Sequence, residues 1–257
     1  MNDTKNRKVG LALGGGVVLG AAHVGVIRAV EEAGIKVSFL GGTSAGALVA
    51  ALYAFGMPWK EMRELLCGLN WLDISKVSLS RFGVLSMSRL EELLEEHLGE
   101  AQFQEADIPL AIIATDISSG EKVVLKQGPV AKAVMASSCV PGVFTPVELD
   151  GRLLVDGGML ENVPVSALRE MGAEFIIGVD LNARQNFSRP DNIIELLINA
   201  VNLTLQNATG LQTGQADLLI EPDLSRFSVT DTSQINELVE EGYQSAREQL
   251  QNALDDG

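Results

Sequence analysis

The chain has 257 residues, 46% of them hydrophobic, and a formal net charge of −15 at pH 7. This apolar content is enough for a large buried core, and the length suits one large α/β domain or two small ones. The negative charge excludes nucleic acid as a partner, because nothing would neutralise phosphates, and it disfavours electrostatic docking to anionic lipid.

Cysteine and histidine are scarce in this sequence. Cys67 and Cys139 lack the spacing of a metal site or a redox pair, so we expect two buried thiols in a cytoplasmic protein. His23 and His97 have no cysteine or carboxylate cluster at ligand spacing. We therefore expect neither a metal nor a cofactor.

The first apolar stretch, Val9 to Ile27, has about the length of a signal peptide or a membrane span. Its six glycines and His23 favour a soluble strand–turn–helix unit instead. We expect a strand from Lys8 to Leu13, a turn at Gly14-Gly15-Gly16 and a helix that ends near Gly34.

The rest of the chain alternates between strands and helices, an order that indicates parallel strands joined by crossover helices. The pattern predicts further strands at Ile35–Leu40, Pro109–Thr115, Lys122–Leu125, Val147–Leu149, Arg152–Val155, Glu174–Asp180 and Leu218–Glu221. It predicts helices at Ala45–Phe55, Trp59–Gly68, Ser88–Leu98, Val130–Ser137, Pro164–Met171, Ile193–Ala208 and Gln234–Leu254. Leu69 to Met87 is irregular and is a candidate cap or entrance.

The segment Gly42-Thr43-Ser44-Ala45-Gly46 joins the second strand to the helix that follows it. A serine between two glycines at a strand-to-helix turn is typical of a nucleophile elbow, because side chains at Gly42 and Gly46 would clash there. We expect Ser44 to attack an acyl carbonyl and to form an acyl-enzyme that water releases.

Asp156 is the candidate base. It opens Asp156-Gly157-Gly158, one of three glycine-bearing turns after predicted strands, and such turns can meet at one edge of a parallel sheet. A triad in the α/β-hydrolase order needs a histidine after the acid, and no histidine follows His97. This leaves a Ser44/Asp156 dyad, in which Asp156 has to be partly desolvated to act as a base.

The expected oxyanion hole combines the turn Gly14-Gly15-Gly16 with the N–H of Ala45 at the start of the next helix. Glycine suits this role because the substrate has to approach bare backbone. A nucleotide-binding interpretation of the same turn fails on its spacing, because Val17-Val18-Leu19 follows where a third glycine should fall.

Taken together, these motifs resemble those of the patatin-like phospholipase family. The matching segments are Leu11–Gly16, Gly20–Val26, Gly42–Gly46, Ser137–Phe144, Gly151–Gly158, Asn162–Val165 and the C-terminal stretch Ala216–Tyr243. The sequence has no repeats, low-complexity tracts or linkers, which indicates one domain. The resemblance covers nearly all of residues 8–245, so we expect this domain there, with tails at 1–7 and 246–257. The resemblance also implies a three-layer α/β/α fold around a mostly parallel central sheet.

The same resemblance implies the hydrolysis of acyl esters in lipids by Ser44 and Asp156, without metal or cofactor. Gly20, Gly157 and Gly158 become motif glycines, and His23 becomes a framework residue. The expected partner is a lipid or lipid-like ester, with no nucleic acid and at most peripheral membrane contact.

Leu19 departs from the family pattern, because members usually carry Arg or Lys just before Gly20. The missing cation leaves two functions open. One is an acyl hydrolase, with the hypothesis that it acts better on neutral esters than on phospholipids. The other is a lipid-binding or regulatory protein whose altered Gly14–Gly20 loop has lost turnover.

Overall fold

The structure is a computed structural model that describes residues 7–68, 76–77, 83–184 and 189–255. The strands are β1 Val9–Leu13, β2 Val37–Thr43, β3 Lys76–Val77, β4 Gly83–Ser86, β5 Leu110–Asp116, β6 Glu121–Leu125, β7 Gly142–Phe144, β8 Val147–Leu149, β9 Arg152–Asp156, β10 Phe175–Val179 and β11 Leu218–Ile220. The helices are α1 Ala22–Glu32, α2 Ala45–Ala54, α3 Trp59–Gly68, α4 Ser88–Leu98, α5 Val130–Ser137, α6 Val165–Glu170, α7 Ile193–Thr213 and α8 Ile235–Asp255.

The main sheet has the strand order β11-β10-β1-β2-β5-β9-β8, with β6 also paired to β5. The strands from β11 to β5 are parallel to one another. Strands β6 and β9 pair with β5 in antiparallel fashion, and β8 pairs with β9 in the same way. The predicted α/β fold with a mostly parallel sheet is therefore confirmed.

Both faces of the sheet are covered, as the alternation along β1 shows. Leu11 and Leu13 point into the large core that also contains residues of α1, α2 and α8. Ala12, between them, packs in a separate cluster with Leu168 of α6. Because neighbouring side chains of a strand point to opposite faces, the sheet is the middle of three layers, as expected.

Helix α8 lies against α1 and continues past residue 245, where we expected a tail to begin. Leu238 and Val239 lie in the large core, and the hydroxyl of Tyr243 donates a hydrogen bond to Glu32 of α1 at 2.7 Å. In the described part of the chain, no helix combines the length and the hydropathy needed to cross a bilayer.

Several elements differ from the predictions. Strand β2 continues through Gly41, Gly42 and Thr43, because these residues pair with β1 and β5 in spite of the low strand propensity of glycine. Helix α7 runs to Thr213, five residues beyond the predicted end at Ala208.

A second, small sheet of β3, β4 and β7 was not predicted. Its strands β3 and β4 fall in the stretch Leu69 to Met87, which we expected to be irregular, and the rest of that candidate cap lies largely outside the described residues. The expectation of two buried thiols is half wrong, because Cys139 is buried but Cys67 is exposed.

Candidate active site

Ser44 stands alone between the end of β2 and the start of α2. Its backbone has φ 54° and ψ −123°, a conformation that is strained for any residue with a side chain. The N–H of Ser44 donates to the hydroxyl of the buried Ser137 at 2.8 Å. This bond helps to hold the strained turn. The Ser44 side chain itself is half-buried.

The glycines on either side of Ser44 allow the helix to pack directly on the sheet. A Cβ atom at Gly46 would lie 2.2 Å from the carbonyl oxygen of Leu13, and one at Gly42 would lie 2.5 Å from the Cα of Ala47. Both contacts are with backbone, which cannot move away. The predicted strand–turn–helix elbow is therefore present, with glycine required at both positions.

Asp156 lies next to the elbow, but the strand that carries it runs in an unexpected direction. We predicted that its turn would follow a parallel strand, but β9 is antiparallel to β5 and overlaps only the last part of it. Asp156 pairs with Ala114, one residue beyond Ile113, which pairs with Thr43 of β2. The end of β9 therefore stops beside the elbow.

The Asp156 carboxylate is almost completely buried, with 3% of the residue exposed. Burial raises its pKa from the ordinary 3.8 to about 6, because the charged form loses its hydration. Hydrogen bonds from the Gly158 N–H, at 2.8 Å, and from the Ser44 side chain oppose this rise in pKa. Asp156 thus has the contact with Ser44 and the desolvation that a base requires.

Gly157, which follows Asp156, packs against backbone as closely as Gly42 and Gly46 do. A Cβ at Gly157 would lie 2.1 Å from the Ile113 carbonyl oxygen.

The glycine loop after β1 is held by hydrogen bonds at two of the residues expected in the oxyanion hole. Gly14 donates its N–H to Val179 at 3.1 Å, and its carbonyl accepts from His23 Nε2 at 2.7 Å. Gly15 donates its N–H to Asn162 Oδ1 at 3.0 Å, and its carbonyl accepts from Asn182 Nδ2 at 2.9 Å. The N–H groups of Gly14 and Gly15 are already used, so these two glycines fix the loop and are not free to bind an oxyanion.

Two of the four expected donors remain available. Among the described residues, neither the N–H of Gly16 nor that of Ala45 has an acceptor within the chain. The first N–H groups of a helix lack partners in the helix itself, which explains the free N–H of Ala45. The loop lies close to this position, because a Cβ at Gly20 would lie 2.5 Å from the Cβ of Ala45.

His23 is a framework residue in this arrangement. It is fully buried, and burial lowers its pKa to about 4 because water no longer stabilises the imidazolium. The neutral ring holds the Gly14 carbonyl through Nε2. This agrees with the role that the resemblance implied.

Sequence reasoning missed the polar side chains that hold the two loops. Ser137 and Asn162 lie within quoted motif segments, but the pattern assigned them no role. Asn182 follows β10 in a stretch with no motif, and its N–H donates to Asp180 at 2.9 Å. Burial, together with the nearby Glu221, raises the pKa of Asp180 to about 6. No sequence signal for these contacts exists, because the partners are more than 90 residues apart along the chain.

Two cavities meet at Ser44. The larger has a volume of about 790 Å³, counted out to solvent, and its lining is mainly apolar, including Leu48, Val49, Leu66, Leu90 and Phe144. The smaller, of about 290 Å³, contains Asp156, Gly16 and residues of α7. Val17 and Val140 line both cavities and lie where they join. Val17 has φ 52°, so its backbone is strained in the same sense as that of Ser44.

Leu19 does not belong to either cavity. Its side chain is fully buried in the large core, and its Cβ would lie 3.4 Å from a Cβ placed at Gly16. The position at which the family usually has a cation is therefore a core position in this chain. Within the described ranges, no group of three or more histidine, cysteine, aspartate or glutamate side chains is arranged to hold a metal ion.

A family model described as patatin-like phospholipase matches residues 11–169. An uncharacterized NTE family protein of Mycobacterium tuberculosis is 34% identical over 180 residues, which cover 69% of this chain and 50% of that protein. Lysophospholipase NTE1 of Pyricularia oryzae is 27% identical over 286 residues, which cover 98% of this chain and 19% of the enzyme.

Among solved structures, VipD from Legionella pneumophila has a similar fold, with a TM-score of 0.67 and 16% sequence identity. The match covers 96% of this chain and 67% of VipD. The chain spans half or less of the length of both curated relatives above.

Proposed function

This chain belongs to the patatin-like phospholipase family, and from that premise we propose that it is a serine hydrolase of lipid acyl esters. The observation that carries the proposal is the contact between Ser44, on its strained elbow, and the desolvated Asp156. A second observation supports it, since a large apolar cavity opens at Ser44 and suits an acyl chain.

In the proposed mechanism, the Ser44 hydroxyl oxygen attacks the ester carbonyl carbon while Asp156 takes the hydroxyl proton. The N–H groups of Gly16 and Ala45 donate to the oxyanion that forms. The C–O bond to the alcohol then breaks, and protonated Asp156 returns the proton to the leaving oxygen. Water attacks the acyl-enzyme with Asp156 again as base, which releases the fatty acid and restores Ser44.

We infer the positions of the two halves of the substrate from the residues that line the two cavities. Asp156 has to protonate the leaving oxygen, and it lines the small cavity but not the large one. The alcohol therefore lies in the small cavity and the acyl chain in the large one. Lysophospholipids are one substrate class to test, because one relative is named as a lysophospholipase.

We also propose peripheral contact with lipid aggregates. Four large apolar side chains are exposed beside the site, Leu160 after the Asp156 turn and Ile193, Leu196 and Leu203 on α7. Helix α7 lines the small cavity with its other face, so the exposed apolar side chains lie on the side of the helix that faces away from the candidate site.

The assignment is tested by labelling with a fluorophosphonate probe and by release of fatty acid from a p-nitrophenyl ester. We expect Ser44→Ala to abolish both signals and Asp156→Asn to lower the rate about a thousandfold or more. The matched controls are Ser119→Ala and Asp150→Asn, since both residues are exposed in turns away from the cavities. Equal labelling of Ser44→Ala and wild type would refute the nucleophile assignment.

The alternative of a lipid-binding protein without turnover rested on Leu19. That residue is in the core and touches neither cavity, so it no longer favours loss of activity. The alternative would be supported if the wild-type protein bound fatty acid tightly, did not react with the fluorophosphonate probe and hydrolysed neither p-nitrophenyl esters nor lysophospholipids.

A further inference from the structure

Asn202 is the polar side chain of α7 that faces the small cavity. It lies on the buried side of the helix between Ile198 and Leu205, and all three residues line the cavity together with Ser44 and Asp156. Only 4% of Asn202 is exposed. Asn202 therefore lines the same cavity as the proposed catalytic pair.

The Nδ2 atom of Asn202 is buried and has no hydrogen-bond partner among the described residues. A buried amide donor without a partner is unfavourable, and the large majority of such groups in proteins are paired. Other polar groups on the same helix face are paired: the hydroxyl of Thr209 donates to Leu205, and that of Thr213 donates to Thr209. The unpaired donor is thus confined to the turn of α7 that lines the cavity.

The chemistry of the site indicates which part of the substrate would meet this donor. If Ser44 and Asp156 act as proposed, the leaving oxygen is next to Asp156, so the alcohol half of the ester occupies the small cavity. The described lining of that cavity contains no lysine, arginine or histidine. A donor without a nearby cation suits an uncharged oxygen better than a phosphate.

We propose that Asn202 binds the leaving alcohol by donating a hydrogen bond from Nδ2 to an uncharged oxygen, such as a hydroxyl on the carbon next to the ester. This inference rests on the proposed function and adds the recognition of the alcohol to it. Glycerol esters with a free neighbouring hydroxyl carry this oxygen, whether or not a phosphate is attached further along.

The test compares two esters of the same acid, 1-octanoylglycerol and p-nitrophenyl octanoate. Both form the same acyl-enzyme, so deacylation is identical, and a difference in kcat/KM arises before or at departure of the alcohol. We expect Asn202→Leu to lower kcat/KM about tenfold for 1-octanoylglycerol, because one hydrogen bond to the alcohol is lost. For the p-nitrophenyl ester we expect a change of less than about threefold, because that alcohol has no hydroxyl.

Asn202→Val is the second variant, because it also removes the donor and places no ionisable group in the cavity beside Asp156. It should lose the preference for the glycerol ester as well. Thr209→Val is the matched control on the same helix face, and it should leave the ratio of the two kcat/KM values unchanged. The Tm of Asn202→Leu should equal or exceed that of wild type, because an unpaired buried donor is removed.

A third ester, 1-octanoyl-lysophosphatidylcholine, separates the hydroxyl from the phosphate. It carries the same free hydroxyl, so Asn202→Leu should lower its kcat/KM about as much as for 1-octanoylglycerol. A loss confined to the phosphate-bearing ester would overturn the proposal that an uncharged oxygen is bound.

The outcomes distinguish this proposal from the proposed function. The role of Asn202 would be overturned if both Asn202 variants changed kcat/KM equally for 1-octanoylglycerol and for the p-nitrophenyl ester. It would also be overturned if they changed neither value. Both outcomes would leave the Ser44/Asp156 assignment intact. A wild-type protein that cleaves none of the esters and does not label at Ser44 would refute the proposed function itself.

Discussion

Asp156 has a pKa that suits a base near neutral pH, because burial raises it to about 6. It accepts the Ser44 proton only when ionised, so we expect kcat/KM to fall about tenfold for each pH unit below about 6 and to level off above. Initial rates of fatty-acid release between about pH 4.5 and 8 measure this profile. A rate that stays constant down to about pH 4.5 would contradict the assignment of Asp156 as the base.

The burial that makes Asp156 a better base also lowers the stability of the folded protein at neutral pH. The folded-state pKa is above the ordinary 3.8, so the contribution of Asp156 to stability is present below about pH 3.8 and is lost as the pH rises through about 6. The difference between the two pKa values corresponds to roughly 3 kcal/mol in the free energy of unfolding. We therefore expect Asp156→Asn at pH 7 to unfold at a higher Tm than wild type, although its rate is lower by about a thousandfold or more. The exposed Asp150→Asn is the control, and a lower Tm for Asp156→Asn would contradict this account.

The Leu19 side chain lies in the core rather than at the site, so a charge at this position should destabilise the fold. Leu19→Arg restores the family's usual charge but buries a guanidinium with no partner, so we expect a loss of roughly 4 kcal/mol and a fall of about 10 °C in Tm. Leu19→Met, of similar volume, should cost less than about 1.5 kcal/mol. Thermal unfolding measures both. A stable Leu19→Arg protein with a higher rate on phospholipid would show that the loop can turn this position toward the substrate.

Among the elements, those with a strong local signal were predicted most accurately. Helices α3, α4 and α5 begin and end at the predicted residues, since their apolar spacing and flanking turns are visible in the chain. Strand β7 is three residues long and depends on pairing with β4, a contact that no local pattern encodes. Likewise, the antiparallel direction of β9 is determined by its partner β5, so the sequence indicated the strand and its hairpin but not its place in the sheet.

Helix α7 has two dissimilar faces. One covers the small cavity, and the other exposes Ile193, Leu196 and Leu203, while Glu195 is the only charged residue in its 21-residue sequence. We expect Leu196→Asp to lower the hydrolysis of lysophosphatidylcholine in neutral phosphatidylcholine vesicles about tenfold, because a charge opposes contact with the lipid surface.

The control for this prediction is a soluble p-nitrophenyl ester, which reaches the site without a lipid surface. Its hydrolysis by Leu196→Asp should equal that of wild type. An equal loss on both substrates would mean that the substitution disturbs the cavity beneath α7, and the proposed contact with lipid aggregates would then lose its support.

At the scale of the whole molecule, the proposed nucleophile and base could be predicted because each belongs to a short motif at the end of a strand. The groups that hold them could not, because Ser137, Asn162 and Asn182 act through contacts between distant segments. The hydrogen bonds within the glycine loop could not be predicted for the same reason. Gly14 and Gly15 have the right residue type, but their hydrogen bonds to Val179 and Asn162 depend on the assembled sheet edge.

The net charge of −15 is also a property of the whole molecule, and it gives the last prediction. Like charges on a compact protein repel one another, and salt screens this repulsion once the Debye length falls below the spacing of the charges. We expect Tm at pH 7 to rise by about 2–4 °C between about 20 mM and 300 mM NaCl, which corresponds to roughly 1 kcal/mol. The rise should shrink near pH 5, where many carboxylates approach protonation and the net charge is smaller. A Tm that falls with salt at pH 7 would mean that screened ion pairs, such as Lys122–Glu161 at 2.8 Å, outweigh the repulsion.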